Sequence, residues 1–195
     1  MMAASNSELA ALQAQFAAVK TEASELVTGL AESQFNWRPD PRKWSIAECL
    51  SHLNMIGDRY VHAIDKIIEE QKGKGRPGAA SSGHGWFGKW ILRHTEPPSK
   101  HTYRAPRSLT PAYGQPVTAV MPTFLHLQDQ LMRQIEQAAS LDLPRIKVPA
   151  LEMRPLKFNL YLTFAWIAAH ERRHLWQAGQ VRAHNTFPHS RAVAV

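Results

Sequence analysis

Apolar residues return at three-and-four spacing in four stretches of the chain, while the two-residue alternation of a strand is nearly absent. The first stripe is Leu9, Leu12, Phe16, Val19, Ala23, Leu26 and Leu30, with Ser5 or Asn6 placed to cap its start. The second opens at Ser45-Ile46-Ala47-Glu48, a capping-box pattern in which each side chain satisfies an orphan amide. It runs through Ile46, Cys49, Leu53, Ile56, Tyr60, Ile64 and Ile67 and fades at KGKGRPG. The third carries Val117, Val120, Phe124, Leu127, Leu131 and Ile135, with Pro116 and Pro122 near its start. The fourth begins near Pro155, a residue suited to a first helical turn, and continues through LKFNLYLTFAWIAAHERRHLWQAGQVRAH. Helices over about 5–30, 45–72, 116–139 and 155–182 predict an all-α fold, a four-helix bundle forming a single domain over residues 1–182.

The connections are uneven. A Trp- and Pro-rich link, NWRPDPRKW, joins the first two helices, whereas residues about 73–115 separate the second from the third. A crossover of that length is unusual in a compact domain and tends to carry function. It contains GWFGKWILR (residues 85–93), which is expected to fold back over the bundle, with a short interfacial or dimer-contact helix as the alternative. Residues 183–195 read as a weakly ordered tail.

Composition narrows the class. Apolar residues at 44% and charged residues at 20% are ordinary for a globular protein, and no 18-residue apolar run exists to span a membrane. The start, MMAASNSELAALQAQF, lacks a basic region followed by an apolar one, so no signal peptide is expected. One cysteine, Cys49, allows no internal disulfide and fits a reducing compartment, so the expected location is cytoplasmic, with no membrane partner. Cys49 itself reads as a small buried hydrophobe rather than a ligand or reactive thiol. The formal charge of +7 is spread out, with much of it between residues 72 and 107 and in the last fifteen residues, and no basic helix face interleaved with aromatics is read, which argues against nucleic acid as a partner.

Most of the ten histidines fall in loops or stand on helices without a partner one turn away. His170 and His174 differ. They continue the inward stripe of Leu160, Thr163 and Ile167, and their i, i+4 spacing puts both imidazoles within reach of one ion. Two unpaired imidazoles in a core are costly unless hydrogen-bonded or coordinated. His52, bracketed by Cys49, Leu53 and Ile56 on the second helix, is the candidate third ligand. The alternative is structural histidines bonded to backbone or water.

The stretch HERRH (residues 170–174) also spells H-E-x-x-H, the zinc-protease signature. The extended form of that signature needs Gly and then His at positions held here by Gln177 and Gln180, and no Asp or Glu follows Glu171. A zinc protease is therefore excluded. Glu171 lies about 100° around the helix from His170 and reads as solvent-facing or ligand-orienting. Arg172 and Arg173 read as surface ion-pairing groups.

With those histidines in place the chain resembles the DinB-like superfamily over residues 8–182. The resemblance is carried by LAESQFNWRPDPRKWSIAECLSHL, in which a W-R-P turn leads to W-S-I-x-E and a histidine, and by AAHERRHLWQAGQV. It implies a bundle holding one divalent metal (Zn, Ni or Fe) on His52, His170 and His174, often as a homodimer. It also implies a metal-dependent thiol S-transferase that joins a low-molecular-weight thiol to a small electrophile. The alternative is a non-catalytic metal-binding stress or accessory protein. A plain structural bundle is the third reading.

Overall fold

The computed structural model describes residues 2–72, 85–98, 105–151, 153 and 155–188, with side chains from residue 7 onward. Its long helices are α1 (Met2–Val27), α3 (Ile46–Gln71), α5 (Val117–Gln137) and α6 (Leu160–Arg182); α2 (Glu32–Phe35) is one turn and α4 (Gly85–Thr95) lies in the crossover. The described residues are all-α apart from a two-stranded antiparallel ribbon, β1 (Lys147–Pro149) with β2 (Lys157–Asn159). In the bundle α1 packs on α5 and α6, and α3 packs on the same two, so α5 and α6 stand diagonally.

Local chemistry sets the ends. Gly29, at φ +75°, occupies the left-handed conformation that a side chain disfavours and follows the end of α1. Ser45 caps α3 reciprocally: the Glu48 amide donates to Ser45 Oγ at 3.2 Å, and the Ser45 amide donates to Glu48 Oε2 at 3.0 Å. Arg38, from the W-R-P turn, makes a bidentate pair with the same carboxylate and stacks 4.4 Å over the Tyr113 ring, which ties the crossover to the start of α3. Gly57 lets α3 and α5 approach closely; a Cβ there would meet Leu127 Cδ1 at 3.3 Å.

Two expectations change. The fourth bundle helix starts at Leu160 rather than near Pro155, because residues 157–159 pair with β1 and Asn159 Oδ1 then accepts the Leu162 amide as the N-cap. Pro155 lies in the turn between the strands. The tail expected to be weakly ordered is docked at its start. Phe187 is buried with its ring 5.5 Å from that of Trp37, and Gln34 donates to the Pro188 carbonyl at 2.6 Å. Its last seven residues, 189–195, lie outside the described ones. GWFGKWILR folds back as α4, burying Gly88 and Ile91 against the bundle beside α6.

Candidate metal centre

Helix periodicity places the site. Trp166, His170 and His174 follow one another at i, i+4, i+8 and so share one face of α6, while His52 projects from α3 across the α3–α6 contact. The ring centroids of His52 lie 4.7 Å from His174 and 5.4 Å from His170, and those of His170 and His174 are 4.6 Å apart. One ring nitrogen from each falls within 4.8 Å of the other two. Two nitrogens on a tetrahedral zinc lie about 3.4 Å apart, so modest ring rotations bring the set to ligand spacing.

The rings are fixed by different devices. His52 Nδ1 lies 2.8 Å from the Leu109 carbonyl, in a 3₁₀ turn of the crossover. As the only acceptor in that pair, the carbonyl makes Nδ1 the protonated nitrogen and leaves Nε2 with the lone pair. Trp166 stacks on His170 at 4.8 Å and 19°, and Trp44 contacts His52 at 4.9 Å and His174 at 5.8 Å. By contrast, Nδ1 of His170 and Nδ1 of His174 are buried without a hydrogen-bond partner among the described residues, although a side-chain hydrogen bond with Gln177 acts on the His174 ring. His170 keeps partial exposure as a residue, yet that ring nitrogen is withdrawn from water. Buried nitrogens without partners are costly in a plain core and become satisfied beside a cation or a solvent bridge.

Protonation agrees with a ligand set. Burial is the main cause that lowers all three histidines, taking His170 to about 3 and His174 well below its ordinary value. Their mutual repulsion and the nearby Arg173 cation push His170 and His174 the same way. All three rings are neutral at pH 7, the form that offers lone pairs to a metal. The residues present fit a divalent cation.

A family comparison decides the wider assignment. The model of the DinB superfamily matches residues 15–178. The chain belongs to the DinB superfamily. No curated protein and no solved structure matches it at a significant level. The match runs from the middle of α1 to near the end of α6 and includes the whole of the crossover between α3 and α5.

Other residues of interest settle around this DinB-superfamily site. Cys49 is fully buried, and burial together with the Glu48 carboxylate pushes its thiol far above the range in which thiolate forms. Glu171 does not face solvent: it is 2% exposed and crosses the bundle diagonal, where its Oε1 accepts from Gln128 Nε2 at 2.8 Å. Burial raises its carboxyl to about 8, against opposing contributions from Gln128 and Arg172. Arg172 turns outward to a bidentate pair with Glu96 and a 2.9 Å bond to Gln15, fastening the end of α4 to α6 and α1.

Sequence reasoning missed Trp166 and Gln128. Trp166 had a signal, being one turn before His170 on the same face. Gln128 had a weaker one, as a polar residue inside the Phe124–Leu127–Leu131 stripe. The Leu109 carbonyl had none, because backbone acceptors carry no residue signature.

Proposed function

We propose that the protein is a metal-dependent enzyme of the thiol S-transferase type, with one divalent ion (Zn, Ni or Fe) held by His52, His170 and His174. The observation that carries this reading is a cluster of three neutral histidines that contains no fourth protein ligand among the described residues. Structural zinc sites close with four protein ligands, whereas catalytic ones keep a position for water or substrate. When bound, such an ion supplies Lewis acidity that lowers the pKa of a thiol or water beside it.

The chain's own contributions are orientation and exclusion. The Leu109 carbonyl holds the His52 tautomer, and Trp166 and Trp44 fix the planes of the rings they touch. Cys49, buried and protonated, cannot be the sulfur nucleophile, so the thiol must be exogenous. Glu171, hydrogen-bonded to Gln128 in the core, does not take the general-base role it has in zinc proteases.

The burial of the rings favours a second reading. His52 is 4% exposed and His174 8%, with the crossover's 3₁₀ turn bonded to His52. A site this enclosed also suits a non-catalytic metal-binding accessory protein. A panel of low-molecular-weight thiols offered with a chromogenic electrophile separates the two. Metal-dependent turnover that disappears in His52→Ala supports the transferase. A metal-loaded protein inert with every thiol supports the accessory reading.

A further inference from the structure

The helix inside the crossover presents a face that the bundle does not use. At 100° per residue, Trp86, Trp90, His94 and Phe87 fall within a sector of about 100°, bordered on one side by Arg93 and Lys89. The opposite side, Gly88, Ile91 and Thr95, is buried. Trp86 is 79% exposed, Trp90 49% and Phe87 38%, the largest concentration of exposed aromatic surface among the described residues. Their ring contacts among those residues are with one another and with His94: Trp86 meets Phe87 edge-on, Phe87 stacks on Trp90, and Trp90 lies 4.3 Å from His94. A solvent-facing aromatic row of this kind marks an interaction surface.

Charge identifies the occupant. Along the sequence, residues 72–128 hold eight Lys and Arg against one acid, Glu96; of the eight, Lys74, Arg76, Lys100 and Arg104 lie outside the described residues. Glu96 is already engaged by Arg172. On α4 itself Lys89 and Arg93 are exposed and no acidic residue is present. Two copies meeting through this face would bring like charges together. The face is also a convex ridge on a helix lashed to α6, not a groove that receives a peptide. We propose that α4 docks the protein, in the plane of the surface, on an anionic lipid bilayer, with Trp86, Phe87 and Trp90 entering the headgroup region and Lys89 and Arg93 meeting the lipid charges. No helix among the described residues is long and apolar enough to cross a membrane. Surface docking asks only for amphipathicity and basic charge. This proposal departs from the sequence-based expectation of no membrane partner.

The test uses the full chain with phosphatidylcholine vesicles and with vesicles carrying about 30% phosphatidylglycerol, read by co-sedimentation and tryptophan emission. The expected result is binding at least about tenfold stronger to the anionic vesicles, a blue-shifted emission, and release in high salt, as electrostatic attachment requires. Trp86→Ala/Trp90→Ala and Lys89→Glu/Arg93→Glu each abolish binding while an unchanged thermal melt shows that the bundle is intact. Three results overturn the proposal: no preference for anionic vesicles, binding that survives Trp86→Ala/Trp90→Ala, or Trp-dependent self-association in sedimentation. Trp-dependent binding to poly-glutamate without vesicle binding would also overturn it, assigning the face to an acidic protein partner.

Discussion

One turn of α6 sends two polar intrusions into the apolar core. His170 and His174 reach toward α3, where they meet His52; Glu171 reaches across the diagonal to Gln128 on α5. The acid–amide pair is close to self-sufficient. Its two atoms without partners are Glu171 Oε2 and Gln128 Oε1, and a proton on the carboxyl turns the first into a donor beside an acceptor. With the carboxyl raised to about 8, that proton is present at pH 7. The histidines have no such remedy. With His52 Nδ1 committed to Leu109, its Nε2 keeps a lone pair beside two other neutral imidazoles, and a further proton on the cluster would build charge in a desolvated site. One intrusion takes up a proton, and the other could hold a cation.

The largest expected effect separates them by composition. His52→Ala and His174→Ala should each weaken divalent-metal affinity by at least about a hundredfold, since loss of a ligand exceeds the 10–100-fold typical of an outer-shell partner. Glu171→Gln should leave affinity within about threefold. Equilibrium titration of the untagged protein measures both, and comparable losses in the histidine and glutamate variants would erase the distinction.

The next effect is on stability, with opposite signs against pH. Glu171 has a folded-state value of about 8 against an ordinary 4.5, so the fold holds its proton more tightly than the unfolded chain does. Stability of the metal-free protein therefore falls as pH rises from about 4.5 to about 8 on this group's account. His170 sits at about 3 against 6.5, so the unfolded chain takes up protons that the fold refuses. Stability falls as pH drops from 6.5 toward 3. Urea denaturation across pH should show both limbs. Glu171→Gln flattens the alkaline limb and gains about 1–3 kcal/mol at pH 9, the usual cost of one poorly satisfied buried group. His174→Ala relaxes the acid limb alone.

A smaller effect tests the aromatic support. Trp44 is partly exposed and touches two of the three rings, so Trp44→Ala should fold normally and weaken metal binding by about tenfold, as outer-shell changes do. Smallest of all is Cys49→Ala, which should cost about 1 kcal/mol from a filled core position and leave metal affinity unchanged.

The two intrusions were not equally legible in the sequence. His170 and His174 stood out because they occupy positions where a helical period demands apolar side chains, and His52 because apolar residues bracket it. Glu171 reads in the sequence as solvent-facing or ligand-orienting, whereas it is buried against Gln128. In a helix buried on most of its circumference, such as residues 162–169 of α6, the outward direction cannot be told from a single stripe. The long helices followed from their stripes and from the Ser45 capping box. The short ribbon at 147–149 and 157–159 did not, because three-residue strands are too brief for alternation to register. Docking of Phe187 depended on Trp37, a contact between residues 150 apart that periodicity does not carry.

The central claim is that the three histidines form one site for one divalent ion. Anomalous diffraction from crystals of untagged, as-isolated protein, collected at the absorption edges of zinc, nickel and iron, tests it most directly. A single ion is expected about 2.0–2.2 Å from a ring nitrogen of each of His52, His170 and His174, with Glu171 still on Gln128. A fully folded protein that shows no anomalous peak there, even after saturation with each of the three metals, would contradict it.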